Sequence, residues 1–183
     1  MRRLGLRLAL SLLTLALLAP CTLAQRSQAT LSEGEIEQLR DSAYIANDRV
    51  MLFIKLIDVR IKFLEDLYAK PRRPGREQDT HDLMEQFSSL SNELSDNLDD
   101  YGPRHRDIRK ALPKLIEATE RWATVIKTPP DDSAYNVSRR IALESLQDLR
   151  DQSNELIPEQ KAWFIAHPPA KKQSPAETDN APR

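Results

Sequence analysis

The three histidines are the residues best suited to metal or acid–base chemistry, so their spacing is the first test of function. They are His81, His105 and His167. A di-iron bundle needs Glu three residues before a His, because that spacing points both side chains to the inner face of one helix. The residues at those positions are Gln78, Gly102 and Phe164. The di-iron pattern is missing, as are the covalent-haem, zinc-protease, serine-hydrolase and phosphate-loop motifs. We therefore predict no cofactor and no enzymatic activity.

Two looser combinations stay open. Glu77, His81 and Glu85 are four residues apart and would share one helix face, where they could hold a divalent cation. A solvated helix face with a local ion pair has the same spacing, and we favour that interpretation. Haem axial ligands are a further possibility, for which the candidates are Met51, Met84, His81 and His105. Met on an apolar stripe normally fills a core, so we do not favour haem. A bundle that binds metal, haem or another small ligand is therefore the alternative hypothesis.

A run of basic residues is the candidate charged site. It consists of Lys70, Arg72, Arg73 and Arg76, and it could contact anionic lipid headgroups or an acidic partner. Cations that follow a helix C-terminus also complement the helix dipole and keep a loop soluble. Both interpretations remain open at this point.

The first 24 residues have the three parts of a secretory signal peptide. Arg2 and Arg3 form a basic start, an apolar run of about a dozen residues follows, and Ala24 ends a small-residue cleavage site. The apolar run is too short for a membrane-spanning helix, which needs roughly 20 residues. We predict an exported protein, periplasmic or secreted, from a bacterial host. Cys21 resembles the lipidated residue of a bacterial lipoprotein, but Pro20 departs from that pattern, so a lipid anchor is the minor alternative.

Composition narrows the class of the mature chain. Cleavage after Ala24 leaves 159 residues, which suits one domain, with 24 Lys and Arg against 28 Asp and Glu. A mildly acidic chain is a poor ligand for nucleic acid, whose phosphates need clustered cations, so we predict no nucleic-acid partner. The single Cys lies in the signal peptide. Packing without disulfides must therefore hold the fold together.

Apolar spacing predicts four helices. They run from Ser32 to about Ala69, from about Asp79 to Tyr101, from about Arg104 to Lys127, and from Asp132 or Ser133 to near Pro158. Pro113 lies inside the third pattern and would kink or divide it. Short links favour antiparallel neighbours. The predicted fold class is all-α, an up-down-up-down four-helix bundle with an extended first helix, preceded by a cleaved signal peptide. Residues 25–167 form the single domain, and 168–183 form a disordered tail.

The first pattern carries the most information. A capping box at Ser32 and Glu35 begins it. Apolar residues then alternate at spacings of three and four, as in a coiled coil; they are Ile36, Leu39, Ala43, Ala46, Val50, Phe53 and Ile57. From Val50 to Ile57 the chain is apolar almost all round, so we expect neighbours on several sides.

Length suggests where the protein makes its functional contact. The first helix would reach about 55 Å and the others only about 37 Å, so its N-terminal end should project beyond the bundle. The candidate contact residues are Ile36, Leu39 and Ala43, whose apolar seam suits a protein partner or a second copy of the chain. The alternative is that this end bends back and covers itself. The resulting hypothesis is an exported helical protein-binding or scaffold protein, with membrane contact only through a lipidated Cys21 or the basic loop.

Overall fold

The computed structural model describes residues 30–168. Within that range the chain forms α-helices, one short 3₁₀ helix and turns, and none of these residues is in a strand. The predicted all-α fold is thereby confirmed. The predicted signal peptide and all but the first residue of the predicted tail lie outside the described residues. No helix within 30–168 is both long enough and apolar enough to cross a membrane.

Five α-helices follow one another within residues 30–168. They are α1 (Glu33–Asp41), α2 (Ala46–Ala69), α3 (Arg76–Tyr101), α4 (Leu112–Ile126) and α5 (Asn136–Ala166). A three-residue 3₁₀ helix, Ser42–Tyr44, separates α1 from α2. Residues 102–111 form the α3–α4 loop.

The prediction of one continuous first helix is wrong. It begins as expected, with the Ser32 and Glu35 capping box, but the α-helix ends at Asp41 and Ile45 is extended, with φ −117° and ψ 101°. Residues 30–45, which we call the N-terminal arm, fold back along α2, since Arg60 in the middle of α2 donates to the Thr30 carbonyl at 2.5 Å. The alternative prediction, that this end bends and covers itself, describes the structure.

The third predicted helix is also shorter than expected. Pro113 is the second residue of α4, where a helix has no internal acceptor for a backbone N–H. Proline is well suited to that position because its ring fixes φ near the helical value. Pro113 therefore begins a helix rather than kinking one, and the residues from Arg104 to Ala111 belong to the loop.

Pro158 does not end the last helix. It lies inside α5, which continues to Ala166. Pro158 itself is exposed to solvent, and contacts beyond it hold the following turns: the Gln160 side chain is buried and accepts from the Ile108 backbone N–H at 3.4 Å. Tertiary packing against the α3–α4 loop thus outweighs the lost ladder hydrogen bond.

The long helices surround one apolar core. α2 packs against α3 and α4, and α5 packs against the same two helices. Asp58 on α2 joins two residues of α4, accepting from Trp122 Nε1 at 2.7 Å and from Arg121 at 2.6 Å. Trp122 is fully buried, and its ring meets Phe87 of α3 edge to face. The Val50–Ile57 segment lies at the centre of this core, as its composition predicted.

The two prolines give opposite predictions for substitution by Ala. Pro113→Ala should change the free energy of unfolding by less than about 1 kcal/mol, because the first turn needs no N–H there. Pro158→Ala restores an interior hydrogen bond and should stabilise the protein, by up to about 3 kcal/mol. Urea denaturation measures both. A stabilisation of the Pro113 variant equal to that of the Pro158 variant would contradict a helix start at Leu112.

Candidate functional site

A partly buried ion pair fixes the N-terminal arm to α2. Arg60 is only 6% exposed and binds the Glu35 carboxylate through both terminal nitrogens, the Nη2–Oε2 contact measuring 3.0 Å. The same guanidinium donates to the carbonyl oxygens of Thr30 and Leu56. Both terminal nitrogens of this buried cation thus have partners, which is the condition under which a buried charge is tolerated.

The electrostatics of Glu35 reflect that pairing. The Arg60 hydrogen bond lowers the pKa of Glu35 from 4.5 to about 2, against an opposing effect of burial. Hydrogen bonds from the backbone and hydroxyl of Ser32 contribute to the same lowering of the pKa. Glu35 therefore serves both the capping box and the arm contact.

Arg49 provides a second attachment for the arm. Its Nη1 donates to the Leu39 carbonyl at 2.5 Å, near the C-terminus of α1, and its Nε donates to Asn97 of α3 at 2.9 Å. The guanidinium also lies over the Phe53 ring, 5.6 Å from the centroid. This one side chain joins the arm, α2 and α3.

The structure separates the three predicted contact residues. Leu39 is only 4% exposed and belongs to the core, so the expectation that nothing in the chain covers it is wrong. Ile36 is 45% exposed, and Ala43 is exposed as well. Next to Ala43 lie Tyr44, 86% exposed, and Ile45, 58% exposed. These two were missed because their sequence positions fall off the 3–4 apolar seam.

The predicted basic patch is largely neutralised by neighbouring carboxylates. Arg72 pairs with Glu77 at 3.1 Å, and Arg73 pairs with Asp79 at 2.5 Å. Both carboxylates lie in the first turn of α3. Arg76 lies over the Tyr68 ring at 4.7 Å, while Lys70 is exposed. The four predicted residues are therefore close in sequence but do not present four free cations.

Glu77, His81 and Glu85, the possible cation ligands that we did not favour, are also divided between different partners. Glu77 pairs with Arg72, and His81 Nε2 lies 3.2 Å from Glu85. His81 Nδ1 lies 2.6 Å from the Ser138 hydroxyl of α5. A Ser–His–Glu relay of this kind can polarise a hydroxyl, but Ser138 is 5% exposed, which leaves a substrate little access. Within residues 30–168 no group of three His, Cys, Asp or Glu is placed to hold a metal ion.

The candidate haem ligands lie in different surroundings, with Met51 half-buried on α2. Met84 is fully buried in the core, His81 is near the start of α3, and His105 follows the end of that helix. A different feature could hold a small molecule: a half-open cavity of about 370 Å³ between the C-terminal ends of α2 and α4. Its lining is mostly apolar and includes Leu64, Tyr68 and Val125.

An aromatic cluster at the end of α5 has no counterpart in the sequence predictions. His105 and His167 stack on Trp163, each with its ring centroid 4.4 Å away, at interplanar angles of 15° and 19°. Arg109 covers the Phe164 ring at 4.0 Å. The four-residue spacing of Trp163 and His167 was the available signal. The loop position of His105, which has φ 51°, could not be predicted from spacing.

Comparison of the chain with protein-family models, with curated proteins and with solved structures found no match.

The ion pair predicts a specific acid response. Since the folded-state pKa of Glu35 lies below 4.5, its stabilising contribution should be complete above pH 4.5 and lost as the pH falls through about 2. Glu35→Gln should lower the free energy of unfolding at pH 7 by on the order of 1–3 kcal/mol. The difference from wild type should shrink towards zero near pH 2.

Thermal melts between pH 2 and 7 measure this difference. Glu37→Gln is the matched control, because Glu37 is exposed on the same helix and forms no ion pair with the described residues. A wild-type advantage over Glu35→Gln that is constant across the pH range would show that the charge of Glu35 plays no part.

Proposed function

We propose that this protein is an exported helical bundle, periplasmic or secreted, that acts by binding protein and not by catalysis. The bundle consists of α2 to α5, which run up, down, up and down, with the arm folded on its side. The binding surface is the exposed apolar part of the arm: Ile36, Ala43, Tyr44 and Ile45. We call these four residues the arm surface.

The observation that carries this proposal is the exposure of Tyr44. Solvent reaches 86% of a large aromatic side chain, and its neighbour Ile45 is 58% exposed. Aromatic side chains are enriched at the centres of protein interfaces, where they contribute much of the binding energy. The loop beside them adds a cation, since Arg106 donates to the Tyr44 carbonyl at 2.8 Å.

Hydrogen bonds support the directions of the helices. Ser95 on α3 bonds Gln152 on α5, and His81, earlier on α3, bonds Ser138, earlier on α5. These two helices are therefore parallel. Tyr135, just before α5, bonds Tyr68 near the end of α2, so the last helix starts at the end of the bundle where α2 finishes. The short links then make α2 with α3, and α4 with α5, antiparallel pairs.

The second candidate function is binding of a small apolar ligand, which the cavity between α2 and α4 favours. Apolar pockets of a few hundred Å³ are typical of small-molecule sites. An optical spectrum and metal analysis of protein purified from its native host would identify a bound chromophore, haem or metal and distinguish this function from protein binding.

Protein capture by the arm surface is directly testable. Immobilised wild-type protein should capture a partner from an envelope extract of the source organism. The double variant Ile36→Glu with Tyr44→Glu should no longer capture that partner. Its melting temperature should stay within a few degrees of the wild-type value, because surface changes cost little stability. The matched control is Val137→Glu with Ile141→Glu, an exposed apolar pair on α5. Equal capture by the arm variant and the wild type would contradict the proposal.

Substitution of Leu39 by Glu should affect stability, unlike the same substitution on the arm surface. A Glu at this buried position should destabilise the protein by about 3 kcal/mol or more, because it places an unpaired charge in the core. A Leu39→Glu variant with wild-type stability would place Leu39 on the surface instead.

A further inference from the structure

We infer that two copies of this chain exchange their N-terminal arms, so that Glu35 of each copy pairs with Arg60 of the other. The inference rests on the proposed function, in which the arm is the binding element, and names the partner of the arm as a second copy. The local sequence favours one continuous helix, whereas the folded chain is divided at the hinge formed by residues 42–45. This conflict is the first reason to expect a second arrangement of the arm.

The hinge contains nothing that forbids a helix. Its residues are Ser42, Ala43, Tyr44 and Ile45, with neither Pro nor Gly among them. The 3–4 apolar alternation passes through it without a change of phase, from Leu39 through Ala43 to Ala46. Contacts between the arm and α2, rather than local preference, therefore hold the hinge in its bent form.

Those contacts are available to any copy of the arm. The receiving surface lies on α2 and comprises Arg60 and Arg49. The arm supplies the Glu35 carboxylate, the Thr30 and Leu39 carbonyls, and the buried Leu39 side chain. If the hinge straightens, the arm of one chain can occupy this surface on another with these contacts retained, and only the Arg106 hydrogen bond to the Tyr44 carbonyl among the contacts described above is given up. Retention of the contacts is the general condition for domain swapping.

The geometry also gives the exchange a reason to be favourable. The arm lies antiparallel to α2, and the midpoint of the chain between Glu35 and Arg60 falls beside the hinge. Reciprocal exchange would therefore place the two hinges together at a twofold axis. The straightened hinge would gain the helical hydrogen bonds that extended Ile45 interrupts.

The decisive experiment uses opposite charge variants. Glu35→Arg and Arg60→Glu each lack an ion pair within their own chain. In an equimolar mixture, an exchanged heterodimer restores two pairs: Glu35 of the second variant meets Arg60 of the first, and the two substituted side chains meet with their charges reversed. We expect a heterodimer by native mass spectrometry at micromolar concentration, while each variant alone gives less dimer than the wild type.

The control for this mixture is the chain that carries both substitutions, since it can restore a reversed pair internally. It should fold and should not need a second variant to do so. A mixture that stays monomeric, while this control is folded, would overturn the inference.

Hinge variants provide an independent measurement if the charge variants do not fold. Ser42→Ala removes the hydroxyl that donates to the Leu39 carbonyl at 2.9 Å. The substitution also raises the helix propensity of the hinge in both copies. The dimer dissociation constant should therefore fall about fivefold. Ser89→Ala, on the exposed face of α3, is the matched control and should not change it. Ala46→Pro should prevent the dimer, because Pro fits the first position of α2 after extended Ile45 but not a continuous helix.

The outcomes separate this inference from the proposed function. A concentration-dependent dimer that responds to the hinge variants supports arm exchange. Dissociation constants unchanged by both Ser42→Ala and Ala46→Pro would overturn it. Capture of another protein by a wild-type chain that is monomeric at all concentrations would also overturn arm exchange, while leaving the proposed protein-binding function intact.

Discussion

The number of apolar faces on α2 is the constraint on which the rest of the structure depends. Two neighbouring helices cover two sides of a helix, but the segment from Val50 to Ile57 is apolar almost all round. α3 and α4 pack on two of its sides, and the arm returns to contact it as well. A straight first helix would have left that additional side in water. Burial of apolar surface is the dominant favourable term in folding, so the chain bends at a hinge whose local sequence favours a helix.

Arg60 shows what that burial requires. The guanidinium lies under the arm at 6% exposure, and a buried cation without partners would cost several kcal/mol. Glu35 and two backbone carbonyls satisfy it. Because Glu35 also belongs to the capping box, formation of the first turn of α1 and docking of the arm are coupled: the helix turn positions the carboxylate, and the carboxylate anchors the helix.

The sequence predicted what depends on local pattern and failed where tertiary contacts decide. The helical class, the capping box at Ser32 and the central core segment all follow from spacing and side-chain type, and the structure agrees with each. Pro113 and Pro158 show the limit. Proline is tolerated at a helix start and, less readily, within a helix whose following turns are held from outside. Spacing alone could not tell these two situations apart, because the deciding contacts come from the α3–α4 loop.

The candidate site was predictable in part for the same reason. Ile36 and Ala43 lie on the apolar seam and are exposed, as a contact surface requires, whereas Leu39 on that seam is buried by the fold-back. Tyr44 and Ile45 became candidates only once the hinge was visible, since a continuous helix would have placed them on a different face. The basic run illustrates the opposite error: its charges were identified correctly, but Glu77 and Asp79 in the next turn pair with two of them. Local sequence therefore locates the charged and apolar residues of this protein, and the path of the chain decides which of them remain free to bind.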